Sequence, residues 1–254
     1  MNTKRIYLSF CLLATLLSSC EKPDNGDAVF PPIEKSHIMF VNVLSEDFQD
    51  AASFYIDEIL MTPTAISFGK ESEAYLEISA RTHTFAAKGN GEFIIQKNIK
   101  IAPNKHYTLY LTGTRSLPEF ILKEEDVSIT PGLAGCYFVH MAPNLAASKL
   151  QNHYPAQPYF GWTDTDTLIV NLLRSEPIGR LTYTEHNRFS ANYAEEMSPL
   201  RLRASNDKGD IPFTDNDSLR LPLVINELGA VVLFPDTTQS TGFNLLTYSK
   251  TDKL

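Results

Sequence analysis

Alternation of apolar and polar residues with a period of two constrains this chain more than any other feature. Leu76-Glu77-Ile78-Ser79, Ile99-Lys100-Ile101 and Tyr107-Thr108-Leu109-Tyr110-Leu111-Thr112 all alternate, and Ile38, Phe40 and Val43 open a similar run. A strand turns successive side chains to opposite faces, so each run offers one face to a core and one to water. Between the runs lie Met61-Thr62-Pro63, Gly89-Asn90-Gly91, Pro103-Asn104 and Thr112-Gly113-Thr114, which carry turn chemistry. No segment shows the period of a three-turn amphipathic helix. Short strands and short turns predict an all-β protein, an antiparallel sandwich or barrel, and the reading adopted is the β-sandwich, immunoglobulin- or transthyretin-like.

The pattern then restarts. Phe40-Val41-Asn42-Val43-Leu44-Ser45 has a counterpart in Phe138-Val139-His140-Met141-Ala142-Pro143. Ile99-Lys100-Ile101 followed by Tyr107 to Leu111 is echoed by Leu219-Arg220-Leu221 followed by Ala230 to Phe234. Glu119-Phe120-Ile121-Leu122 is echoed by Gly242-Phe243-Asn244-Leu245-Leu246. Order and spacing both hold, which predicts two tandem sandwich domains over 37–130 and 131–254. Pro131, Gly132 and Gly135 mark the join.

The first unit, roughly 37 to 126, resembles the domain-of-unknown-function family 4397. The resemblance rests on the opening strand, Phe54-Tyr55-Ile56-Asp57, Ser67-Phe68-Gly69, Ala74-Tyr75-Leu76, Thr84-Phe85 and Tyr107-Thr108-Leu109. The second unit keeps the opening and closing strands and adds material from about Leu145 to Asp166. Such modules often occur in tandem in secreted and lipid-anchored bacterial proteins. The family has no assigned chemistry, so the resemblance speaks to fold.

The N-terminus carries an address. Lys4 and Arg5 precede an apolar stretch from Ile6 to Leu17, which is signal-peptide length and short of the roughly 20 residues that span a bilayer. Leu17-Ser18-Ser19-Cys20 resembles the end of a bacterial lipoprotein signal: residues 1–19 read as the signal peptide and Cys20 as the lipidated N-terminus, palmitate among its chains. Each buried methylene contributes about 0.8 kcal/mol, and two chains suffice for stable anchoring. Residues 20–36 are polar and proline-containing and read as a flexible tether. The acidic residues after Cys20 resemble the export signal of Bacteroidetes surface lipoproteins. The expected location is the outer membrane, facing the surface or the periplasm.

Loss of residues 1–19 removes Lys4 and Arg5 from the 22 basic residues and none of the 30 acidic ones, leaving a formal charge of −10. That charge argues against a nucleic-acid partner, which would need a basic face. Cys11 leaves with the signal and Cys20 is acylated, so Cys136 is the remaining thiol and reads as a buried strand residue. Ser67-Phe68-Gly69-Lys70 matches S-x-x-K, but Gly69 interrupts the helical turn that this chemistry needs, and its companion motifs are absent. His37, His83, His106, His140, His153 and His186 do not fall at metal-ligand spacing and read as solvated or strand-face residues. Asp164-Thr165-Asp166, Asp207-Lys208-Gly209-Asp210 and Asp215-Asn216-Asp217 read as turns rather than calcium loops. No metal and no cofactor is expected.

Tyr154, Tyr159, Phe160 and Trp162 are the candidate ligand-binding residues. They sit among Pro155 and Pro158 in one segment, where aromatic rings could stack on sugar or peptide. Thr167, Ser218 and Thr237 each follow an Asp in a pattern that resembles the O-glycosylation acceptor of exported Bacteroidetes proteins. The expectation is a lipid-anchored envelope protein with a non-catalytic binding, adhesion or structural role, and a glycan or envelope protein as partner. The alternative is an accessory subunit of an outer-membrane uptake or pilus-like assembly, and a less favoured one is a hydrolase with an interdomain site.

Overall fold

The structure, a computed structural model, describes residues 32–44, 51–143, 147–152, 179–181, 183–191, 200–206, 209–211, 218–219, 224, 226–235 and 243–254. The chain divides into Met1–Ile33 and a compact body, Glu34–Leu254. The first half of the body holds β1 (Lys35–Asn42), β2 (Ser53–Ile56), β3 (Ile59–Leu60), β4 (Lys70–Glu71), β5 (Leu76–Ser79), β6 (Thr82–Gly89), β7 (Glu92–Lys100), β8 (His106–Gly113) and β9 (Pro118–Glu125). The second holds β10 (Ala134–His140), β11 (Ala147–Asn152), β12 (Gly179–Leu181), β13 (His186–Ala191), β14 (Leu200–Asn206), β15 (Gly209–Ile211), β16 (Ser218–Leu219), β17 (Leu228–Pro235) and β18 (Phe243–Ser249). A 3-10 turn over Thr251–Lys253 follows. The class is all-β, as the alternation predicts.

One pairing plan serves both halves. β1 runs parallel to β8, from His37 opposite His106 to Asn42 opposite Leu111. β9 is antiparallel to β8, and β4 and β5 are antiparallel to the other edge of β1. In the same way β10 runs parallel to β17, β18 is antiparallel to β17, and β13 is antiparallel to β10. Each half also has a second, antiparallel sheet: β3-β2-β6-β7 in one and β12-β11-β14-β15 in the other. A parallel pair needs a crossover, and the strands of the second sheet supply it. The echo between Phe40-Val41-Asn42 and Phe138-Val139-His140 therefore falls on equivalent opening strands.

The core departs from simple alternation. One face of the β1–β8 layer, with Ile38, Phe40, Leu109 and Leu111, packs against Phe54, Ile56, Phe85 and Ala87 of the second sheet. The opposite face, with Met39, Val41, Val43 and Tyr110, packs against Tyr137, Val139, Met141, Leu228, Ala230, Val232 and Phe234. On β10, Cys136, Phe138 and His140 are buried as well. The expectation of one solvated face thus fails for the central strands, because the central sheets of the two halves meet and bury each other's second face. Ile38 to Leu44 is a nearly unbroken apolar run, as doubly covered strands tend to be. Fully burying one such Ile, Leu or Phe contributes about 1.5–3 kcal/mol.

The Ser67-Phe68-Gly69-Lys70 segment is a turn into β4, closed by the Lys70 amide on the Ser67 carbonyl at 3.2 Å. Gly69 has φ +68°, and a Cβ there would lie 3.1 Å from the Phe234 ring. The same ring receives Phe68 edge-on at 5.2 Å between centroids. Glycine serves both the left-handed backbone and the close approach.

Candidate functional site

Among the described residues, an enclosed polar group surrounds Lys250, just past β18. Its Nζ lies 2.7 Å from Glu125 Oε2, and both side chains are fully buried. Tyr75 Oη and Thr108 Oγ1 donate to the same carboxylate oxygen at 2.8 and 2.9 Å. Nζ also reaches Thr108 Oγ1 at 3.2 Å, Tyr75 Oη at 3.3 Å and Tyr248 Oη at 3.4 Å, and lies 5.0 Å from the Tyr248 ring centroid. Burial lowers the Lys250 pKa and Glu125 opposes that fall. Burial also raises Tyr75, Tyr110 and Tyr248, with Glu125 adding to each. The register explains the convergence. Glu125 ends β9 opposite His106 on β8, and the Lys250 amide bonds the Leu228 carbonyl at 2.6 Å, holding the chain end against β17. Thr108 and Glu125 come from the first half and Lys250 from the second, so the group ties the C-terminus to the joint between them.

A second cluster has the composition of an acid–base–nucleophile set. Asp57 Oδ2 lies 2.7 Å from His83 Nδ1, and His83 Nε2 lies 3.2 Å from Ser79 Oγ. Yet Nε2 is closer, at 2.8 Å, to the Ser79 carbonyl. Carboxylate and carbonyl oxygens only accept, so Nδ1 donates to Asp57 and Nε2 to the Ser79 carbonyl, and the ring nitrogen a serine base would need is already donating. Asp57 and Glu58 both have positive φ in the two-residue turn between β2 and β3. Asp57 Oδ1 accepts from the Thr84 amide at 2.9 Å, and Oδ2 accepts from Arg81 at 2.6 Å. Burial raises the Asp57 carboxyl, but the Thr84 amide, His83 and Arg81 outweigh it and hold its pKa below the usual value. The cluster clamps a turn to a hairpin.

His83 and His140 are strand residues, on β6 and β10, and both are buried. His140 faces inward on β10, its Nδ1 accepting from the Ala142 amide at 3.2 Å. Burial, opposed in part by Glu185, pushes its pKa down to about 4. The unfolded chain takes up a proton near pH 6.5 that the folded chain refuses, so this stabilisation is complete above that pH. It drains as the pH falls toward 4, and amounts to about 3 kcal/mol. His106 and His186 are lowered in the same direction by burial. Urea unfolding at pH 7.5 and 4.5 is expected to show the loss, and His140→Gln to flatten it. An unchanged slope in the variant would exclude His140 as the cause. Cys136 is fully buried on β10, with its pKa pushed up to about 12 by burial against a smaller opposing effect of Lys250, far from a reactive thiolate.

Three surface cavities are lined by described residues. One of about 340 Å³ lies between residues 61–67 and the β4–β5 edge, over Met61, Ile66 and Leu76. Its rim is tied into the frame: Glu71 pairs with Lys253 at 3.2 Å, and Ser72 Oγ accepts from the Phe40 amide at 3.1 Å. One of about 310 Å³ lies beside Cys136, Leu228 and Tyr248. The third, about 250 Å³, lies on the outer face of the β3-β2-β6-β7 sheet. There Leu60, Tyr55, Ala86 and Gln96 form one cross-strand row, and Lys88 stands opposite Phe93 after a register shift between Ala87 and Lys88. Lys88 Nζ lies 4.7 Å from the Tyr55 ring centroid and 4.3 Å from that of Phe93. Phe93 is 62% exposed.

Cys20, Tyr154, Tyr159, Phe160, Trp162, Thr167 and Thr237 lie outside the described residues. Ser218 opens β16, opposite Arg201 of β14. Among the described residues no group of three or more His, Cys, Asp or Glu side chains could hold a metal ion. Sequence reasoning missed the Lys250 group, the Asp57–His83 clamp and the β2-β6-β7 face. A His in the strand run Thr82-His83-Thr84-Phe85, in phase with apolar Phe85, was a usable signal for the clamp. The Lys250 group had none, since its members lie up to 175 residues apart. No protein-family model matches the chain, and no curated protein matches its sequence.

Proposed function

We propose that this chain is a lipid-anchored protein of the bacterial cell envelope, two tandem β-sandwich lobes on a tether, with a non-catalytic binding or adhesion role. The observation that carries the reading is Leu17-Ser18-Ser19-Cys20 at the end of a short apolar run behind Lys4 and Arg5. A binding role is supported by how the reactive side chains are used: His83 Nε2 is spent on a carbonyl, Cys136 is buried, and the Lys250 amine is held by Glu125. These groups stabilise the frame and leave recognition to its surface.

The test is metabolic labelling with a palmitate analogue, followed by membrane fractionation. Label should enter the wild-type chain and be lost in Cys20→Ala, which should leave the membrane fraction. Equal labelling of both would end the proposal. An accessory role in an outer-membrane uptake or pilus-like assembly is the second reading, favoured by the adjacent Ile59 and Leu60 on edge strand β3, 67% and 48% exposed. Copurification of envelope proteins with the wild type, lost in Ile59→Asp, would select it.

A further inference from the structure

We infer that the cup on the outer face of β2-β6-β7 is a binding site for a neutral sugar ring; the inference rests on the binding role proposed above and gives it a location. The cup is about 250 Å³, below the usual size of a drug-sized pocket and suited to one ring. Its floor is Ala86, the smallest side chain in the cross-strand row, so a flat ligand can settle between its neighbours. Tyr55 and Phe93 form aromatic walls, which suit the C–H face of a pyranose.

Polar groups of both signs surround the apolar patch. Lys88 reaches over both rings and carries three donors, while Glu58 contributes an acceptor and Gln96 contributes both. A lone anion would meet Glu58 and a lone cation would meet Lys88. A neutral ring rimmed with hydroxyls can accept from the ammonium and donate to the carboxylate at once. The frame beneath is fixed: Phe54 and Phe85, the alternate residues of β2 and β6, are fully buried in the core on the far side. The Asp57 clamp holds the turn that carries Glu58. Walls on rigid strands lose little freedom when a ligand arrives.

The experiment titrates the mature full-length chain in detergent with maltohexaose, cellohexaose, laminarihexaose, mannohexaose and chitohexaose, with sialyllactose as the charged comparison, by saturation-transfer NMR and calorimetry. At least one neutral hexasaccharide should bind. Its affinity should fall about tenfold in Phe93→Ala and in Ala86→Leu, which fills the floor. Circular dichroism of both variants should match the wild type. No binding by any neutral probe at roughly 10 mM would overturn the inference, as would stronger binding of sialyllactose than of all five. Binding that survives both variants and disappears in Trp162→Ala would place the sugar in the aromatic segment, refuting this site while leaving the binding role intact. Capture of an envelope protein, lost in Phe93→Ala with no sugar bound, would make the face a protein interface and refute the inference.

Discussion

Lys250→Met is expected to lower the stability of the folded body by about 3–5 kcal/mol, because it strands Glu125 in a fully buried site. The carboxylate would keep Tyr75 and Thr108 as donors but lose its counter-charge at 2.7 Å. Oε1 of Glu125 already lacks a hydrogen-bond partner among the described residues, so nothing on that side offsets the loss. The thermal midpoint should fall by roughly 10 °C for a body of this size. Glu125→Leu alone should cost a similar amount by leaving the ammonium unpaired. Lys250→Met with Glu125→Leu should recover most of it, since an apolar pair of similar volume removes two buried charges together. Differential scanning calorimetry on the four proteins closes the cycle. If the single variants lose less than about 1 kcal/mol, the site is wet and its reading as a dry ion pair fails.

Phe54→Ala is expected to cost about 3–5 kcal/mol, the range for truncating a buried aromatic. Phe54 is fully buried, 4.8 Å from the Phe40 ring and 6.3 Å from that of Phe120, where the two sheets of the first half meet. Truncation opens a void between sheets held apart by their other side chains, so the space cannot collapse fully. Phe93→Ala, on the opposite face and 62% exposed, should stay within about 0.5 kcal/mol. Equilibrium urea unfolding of both variants separates an aromatic that builds the frame from one available for recognition. Equal losses would mean that Phe93 packs as a core residue, which would remove the basis of the sugar site.

The alternation at Tyr107 to Thr112 and the turns around Gly89-Asn90-Gly91 were enough to identify strands, because period and turn chemistry are local properties of the backbone. The echo of Phe40-Val41-Asn42 in Phe138-Val139-His140 was equally legible, and it fell on two strands that each have a parallel partner, β8 for β1 and β17 for β10. Partner choice was not legible. Thr108 and Thr112 look like solvent-facing positions in sequence, yet both are fully buried where the two halves meet. Asp57, Ser79 and His83 belong to one clamp only because β2 pairs antiparallel with β6.

Sequence alone determined that the chain is built of strands, that turns separate them, and that central runs such as Ile38 to Leu44 are apolar. Each of these is written in neighbouring residues. Tertiary structure decided which faces are dry, which ionisable groups pair, and which aromatics remain on the surface. Those properties depend on contacts between segments distant in the chain, such as Lys250 with Glu125, and pairing across that distance leaves no mark on either segment's local pattern.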